Sequence, residues 1–320
     1  VMTISHLPDV GGAGLSVLNT SVYHEGLILP VSRLVEAGRW NPTLKALIEA
    51  NVRTPATVLG DIEAGLAGCT RGETLIGELL RETGLEDLQA VSDGLISQSE
   101  HTLRNAITAI ADGVYRNAVE VETVDGTVTL HCAVHIAGDA ITIDFAGTDP
   151  SVAHAINVPF CYTAAFACYA IKCLITPRIP NNFGALAALR VTAPPGCILN
   201  AMPPSATGGR HAVGWFIVPL IHGALARVLP EAVQAESGMA SLIICHTGRA
   251  GGEAGSVQFF AAGGLGAMQG LDGASCTPSP TNNSVVPAEI WESETGLRVN
   301  HRRLLCDSGG PGEFRGGLGQ

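Results

Sequence analysis

Between Val119 and Phe145 the chain alternates apolar and polar residues with a period of two, and few folds accommodate such a run. Val119 and Val121 alternate with Glu120 and Glu122. Val128, Leu130, Cys132, Val134 and Ile136 follow, with Thr129, His131 and His135 between them, and Ile141, Ile143 and Phe145 resume the pattern. Successive side chains of a strand point to opposite faces, so each run offers one apolar and one polar face. Asp125-Gly126 is a type I′ hairpin signal and Gly138-Asp139 marks a second turn. The spacing predicts a three-stranded antiparallel meander with one wet face. His131 and His135 share that wet face. At about 3.3 Å per residue they stand roughly 13 Å apart, too far to share an ion, and with Asp144 they read as solvated or structural.

The flanks change period. Val1 to Pro30 carries short β-like runs around Gly11-Gly12-Ala13-Gly14, and Leu34 to Gly113 is mainly helical. Leu88, Val91, Leu95, Leu103, Ile107 and Ile110 recur at helical spacing and form one stripe, and Gly84 fits the stop of the preceding helix. Phe160–Ile175 and Ala212–Val228 read as apolar helices, Leu189–Thr192 and Ile198–Leu199 as short strands, and the chain from Leu242 onward as strands and glycine-rich loops. Helical and β stretches are segregated, so the expected class is α+β. Three segments are expected: 1–35, an N-terminal β segment; 36–113, mainly helical; and 114–320, an α+β domain with the meander and a glycine-rich C-terminal region.

Composition narrows the class of function. Hydrophobic residues make up 46% and charged residues 15% of 320, too apolar for a disordered chain. The formal net charge of -11 offers no basic face for phosphates, which argues against nucleic acid as a partner. No run is long and uninterrupted enough for a membrane span, and no basic-then-apolar leader opens the chain. Nine cysteines without a C-x-x-C pair read as reduced thiols, and a cytoplasmic location is expected. Val1 and the glycine-rich run ending at Gln320 read as cut ends.

Four constellations could carry chemistry. His6-Leu7-Pro8-Asp9, followed by Gly11-Gly12 and Tyr23-His24-Glu25-Gly26, brings imidazoles and a carboxylate that suit Zn, Mn or Fe, the alternative being a hydrogen-bonded loop histidine and an unconnected His24. The His131/His135 pair is the second. Cys306-Asp307-Ser308-Gly309-Gly310-Pro311 looks like a serine-protease nucleophile loop, but it lacks the histidine motif upstream and the chain needed for a specificity pocket. Gly208-Gly209-Arg210-His211, ahead of a predicted helix, could hold a phosphate or carboxylate on backbone amides and an arginine fork, or could be a plain turn. Neither G-x-x-x-x-G-K-[ST] nor G-x-G-x-x-G after a strand occurs, so the chain shows no nucleotide site of its own.

Taken in order, several blocks resemble the hydantoinase B/oxoprolinase family. His6-Leu7-Pro8-Asp9-Val10-Gly11-Gly12 is similar to its H-x-x-D-[IV]-G-G signature, and Tyr23 to Leu27 to its E-G-L segment. Asn51 to Pro55 with Gly60-Asp61, Asp144 to Thr148, Ile156 to Pro159, Ile179 to Leu186 and Ala193 to Gly196 also fit. Asp307 to Gly317 matches D-S-G-G-x-G-x-x-R-G-G, which accounts for the protease look-alike.

The resemblance implies a B-type subunit of an ATP-dependent enzyme that opens hydantoin, 5-oxoproline or lactam rings. A hydantoinase A-type ATPase partner would bind ATP and activate the cyclic amide within a hetero-oligomer. It also implies a divalent metal held by His6, Asp9 and His24, with an upstream aspartate that would precede Val1. Arg210, His211 and Asn157 are expected substrate contacts. A ketone carboxylase subunit is the alternative enzyme, and a non-catalytic assembly subunit the alternative of another class. Two departures stand out: Leu7 occupies a position where many members carry a second histidine, and Pro219 one where an aspartate is expected.

Overall fold

The computed structural model describes residues 1–4, 16–52, 54–239, 241–248, 254–277, 279–280 and 285–319. Among them, a small hairpin of β1 (Val35–Glu36) and β2 (Arg39–Trp40) leads into α1 (Pro42–Asn51), α2 (Pro55–Thr83) and α3 (Gln89–Ile107). Asn41 caps α1 by accepting from the Thr43 and Leu44 amides, and Pro42 opens its first turn, where the missing N–H costs no helical bond. Gly84 closes α2 in the left-handed region at φ 70, as the sequence predicts.

The meander follows as β3 (Gly113–Thr123), β4 (Gly126–Ala137) and β5 (Ala140–Asp144), antiparallel throughout. The first turn falls one residue earlier than the Asp125-Gly126 signal implies. Thr123 pairs with Gly126 across a Val124-Asp125 loop, and only Gly126 has positive φ, at 105. A type I′ turn needs positive φ at both central residues. Here the Thr123 hydroxyl supplies the alternative, accepting from Asp125 N at 3.2 Å and donating to Gly126 O at 2.6 Å.

A fourth strand, β6 (Leu189–Thr192), pairs parallel to β5 after the crossover helix α4 (Phe160–Ile175). The sheet order is β3-β4-β5-β6. Val128, Leu130, Cys132, Val134 and Ile136 are buried on one face, and His131 and His135 are half-buried on the other, as the alternation requires. On the buried face lie α4, the C-terminal end of α3, and α6 (Ile217–Leu225). Each fully buried Leu, Ile or Phe contributes about 1.5–3 kcal/mol, so this core dominates the energetics.

The expected single helix over Ala212–Val228 is two pieces, α5 (His211–Gly214) and α6. Pro219 explains the break. It has no N–H to return to the carbonyl of Trp215, so the chain restarts there, with Pro219 as the third residue of α6, where amides lack helical acceptors in any case. Ile198 and Leu199 form no strand but are fully buried in a loop that accepts from Val158 N. No strand forms over 16–30, where a 3-10 helix spans Val22–His24. Beyond α6, β7 (Ser241–Gly248) and β8 (Ala254–Ala261) make an antiparallel hairpin. The unforeseen helix α7 (Ala288–Thr295) follows. The glycine-rich loops near the C-terminus touch through their backbones: a Cβ on Gly264 would lie 1.7 Å from Gly317 O. Among the described residues, no helix is long and apolar enough to cross a membrane.

Candidate active-site loop

The segment Pro204–His211 carries Arg210 and His211, and two polar side chains hold it in place. Glu25, just past the 3-10 helix at Val22–His24, accepts from Thr207 N at 2.8 Å, from Gly208 N at 2.5 Å and from the Thr207 hydroxyl at 3.4 Å. Asn157 is fully buried. Its Oδ1 accepts from Val152 N at 2.8 Å, and its Nδ2 donates to the carbonyls of Val152, His154 and Ala206 at 2.9–3.1 Å. The backbone adds Val22 N to Pro204 O, Ala155 N to Val17 O and Gly209 N to Ala155 O. Gly209 is required here, because a Cβ would meet Val17 Cγ1 at 2.7 Å and Ala155 O at 3.0 Å. The N-terminal segment around Glu25 and the loop before Arg210 therefore form one unit.

This geometry changes the reading of Gly208-Gly209-Arg210-His211. The amides of Gly208, Gly209 and Arg210 are spent on Glu25, Ala155 O and Thr207 O respectively. The helix that follows is a single turn. The backbone amides thus hold the carboxylate of Glu25, and any external anion would rely on the Arg210 guanidinium. Asn157 likewise has its amide occupied within the fold and acts by placing the loop.

An aromatic wall backs the Arg210 and His211 side chains. The Arg210 guanidinium lies over the Tyr162 ring at 5.5 Å, Tyr162 stacks on Phe166 at 4.2 Å, and His211 meets the Trp215 ring at 5.2 Å. Burial pushes the Tyr162 phenol up to about 12, against the opposing pull of Arg210, so the phenol stays neutral. Burial, followed by repulsion from Arg210, lowers the His211 pKa. The arrangement is one permanent cation beside a neutral imidazole and a neutral phenol. It can pair a carboxylate or phosphoryl oxygen through Arg210 while His211 accepts or donates a proton.

His6 and Asp9 lie outside the described residues, and of the three expected metal ligands only His24 is placed. It is exposed, at the end of the 3-10 helix and next to Glu25. Among the described residues no group of three His, Cys, Asp or Glu side chains could hold an ion. The Ser308 hydroxyl donates to Leu305 O at 2.7 Å and accepts from Gly319 N at 2.9 Å, so it shapes its own loop. Sequence reasoning missed Glu25 and the Tyr162–Trp215 wall. The E-G-L segment pointed at Glu25, but nothing local shows that its partners lie 182 and 183 residues away.

The sequence profile of the hydantoinase B/oxoprolinase family matches residues 1–320, and the chain belongs to that family. A putative D-/L-hydantoinase of a Pseudomonas species has a B-type subunit that is 28% identical over 99% of the chain and 57% of its own length. The beta chain of the caprolactamase of Pseudomonas jessenii is 27% identical over 98% of the chain and 56% of its own length. The chain thus spans a little over half the length of these relatives. The crystal structure of the ATP-dependent caprolactamase of Pseudomonas jessenii superposes with a TM-score of 0.89 at 25% identity, covering 98% of this chain and 56% of that one. The nucleotide-free acetone carboxylase shares the fold, with a TM-score of 0.83 at 20% identity over 98% of this chain and 45% of that one. The α+β class expected from the sequence is the class observed.

Proposed function

We propose that the chain is the B-type part of an ATP-dependent cyclic amidohydrolase, opening a hydantoin, oxoproline or lactam ring that a separate ATPase subunit has activated. The observation that carries this reading is the braced loop: Glu25 and Asn157 fix Arg210 and His211 against an aromatic wall within a family whose named relatives include hydantoinase, oxoprolinase and caprolactamase proteins. Arg210 pairs the anionic oxygen of the activated amide, and His211, neutral near pH 7, moves a proton to the departing ring nitrogen or from the attacking water.

A divalent ion held by His6, Asp9 and His24 belongs to the same proposal, because imidazole with carboxylate suits Zn, Mn or Fe. When bound, such an ion would polarise an oxygen of the substrate. Metal analysis of purified protein checks it: His6→Ala and His24→Ala each lose the ion, whereas unchanged metal content removes the ion from the reading. The partner is an A-type ATPase subunit, tested by co-purification.

The activity is tested with the two subunits together and a panel of lactams, hydantoins and ketones. ATP turnover stimulated by a cyclic amide, with a ring-opened product and no need of bicarbonate, is the expected result. Bicarbonate-dependent ketone consumption would place the chain with the carboxylases instead, and no stimulation by any compound would leave an assembly role.

A further inference from the structure

Arg210 is half-buried, and among the described residues no carboxylate lies within ion-pair distance of its guanidinium. The guanidinium lies instead over the Tyr162 ring, 5.5 Å from its centre. A carboxylate would fix an arginine through its N–H fork and so occupy the groups that bind an anion. An aromatic face attracts the cation without neutralising it, and leaves those N–H groups open to an incoming oxygen.

The ring is held in place by its neighbours. Tyr162 stands in the first turn of α4, and the next residue, Thr163, is fully buried and donates to Leu199 O at 2.6 Å. Phe166, one turn on, stacks on the Tyr162 ring at 4.2 Å with 12° between the planes. In α5 the Gly214 amide donates to the carbonyl of Arg210 at 2.8 Å, and a Cβ at 214 would collide with Tyr162 Cε1. Glycine at 214 is therefore what lets α5 close on the ring. Tyr162 and Arg210 are joined twice, by the contact of ring and guanidinium and by the single turn that ties Arg210 to Gly214.

We infer that Tyr162 is a positioning residue: its ring, seated on Phe166 and Gly214, sets the guanidinium of Arg210 so that its N–H groups meet an anionic oxygen. The inference rests on the anion-pairing role proposed for Arg210 and adds to it a residue that acts through that arginine. Because the ring face does the holding and the hydroxyl does not, phenylalanine should serve at 162 and leucine should not.

Proton–nitrogen NMR spectra of the arginine Nε–H groups test the contact without turnover. The Arg210 signal, identified by its loss in Arg210→Lys, should be displaced from the other arginines by the ring current of Tyr162. It should rejoin them in Tyr162→Leu and stay displaced in Tyr162→Phe. Gly214→Ala, which keeps the ring but pushes it off its seat, should shift the same signal. A wild-type signal among the other arginines, or one that Tyr162→Leu leaves in place, would overturn the inference. In turnover by the two subunits together, Tyr162→Leu should lower kcat/KM for the cyclic amide about tenfold, the scale of a desolvated cation–π contact, and Tyr162→Phe less than about twofold. Placed in an Arg210→Ala background, Tyr162→Leu should add less than about a further twofold, because the two side chains act as one unit. A full loss that persists in that background, or an equal loss in Tyr162→Phe, would also overturn the inference by showing a structural or a hydroxyl role. Unchanged kcat/KM in Arg210→Ala, or no turnover with any cyclic amide, would instead remove the role proposed for Arg210, and the spectra would still decide whether Tyr162 holds the arginine.

Discussion

Helices α6 and α2 differ sharply in how much of their surface is covered. In α6 seven of nine residues are buried, among them Leu220 and Ile221 at 0% exposure. In α2 two of 29 are buried, Val58 and Leu59, while Leu75 and Leu79 remain 47% and 44% exposed. A helix apolar all round belongs inside a domain, whereas one with a mostly wet surface relies on its caps and local pairs. The proposed site follows the same division: the loop with Arg210 and His211 runs directly into α5 and α6, so the chemistry proposed above would sit on the well-covered region.

The largest expected contrast is in stability. Leu220→Ala should cost about 2–5 kcal/mol by leaving a cavity, while Leu79→Ala should stay within about 1 kcal/mol. Denaturant unfolding of both variants measures it, and similar losses would erase the distinction. Next in size, Asn157→Ala should cost at least about 2 kcal/mol, because it strands the Val152 amide and the carbonyls of Val152 and Ala206, while His154 O keeps its bond from Ile156 N. The melting temperature reports this.

A smaller effect is expected with pH. His211 and His222 are both held neutral by burial, their pKa values lowered from 6.5. The unfolded chain therefore takes up protons that the folded chain refuses, and stability is complete above about pH 6.5 and falls as the pH drops below it. His222→Leu should flatten that acid limb in unfolding curves taken between pH 7 and 5, and an unaltered slope would contradict the assignment. The smallest contrast is chemical. Burial, reinforced by Asp144, pushes the Cys132 thiol up to about 12, whereas Cys161 and Cys173 are exposed. Alkylation at neutral pH should label Cys161 and Cys173 and leave Cys132 untouched in the folded protein.

What the sequence made legible divides along the same line. The meander was readable because Val128 to Ile136 must alternate if one face is buried and the other wet. α4 was readable from its continuous apolar surface, and the end of α2 from Gly84. Local patterns could not reveal that β6 joins the meander in parallel after a crossover helix, because that pairing is decided by packing across 45 residues of chain, from Asp144 to Leu189. The α3 stripe shows the limit most clearly. Leu103 and Ile107 are fully buried, but Val91 and Leu95, equally regular in spacing, are 45% and 53% exposed. Periodicity names the face of a helix and not how much of it another element covers. At the candidate site, Arg210 and His211 were legible as residue types beside a glycine pair. Glu25's role was not, because a carboxylate that satisfies Thr207 and Gly208 amides looks in sequence like any surface glutamate.

Amide hydrogen exchange in Glu25→Ala tests most directly whether the N-terminal segment and the Arg210 loop are one site. The Thr207 and Gly208 amides should lose protection together, with the proposed ring-opening activity falling alongside, while amides of β4 such as Val134 keep theirs. Unchanged protection at Thr207 and Gly208 would contradict the account, because the loop would then be held by something other than Glu25.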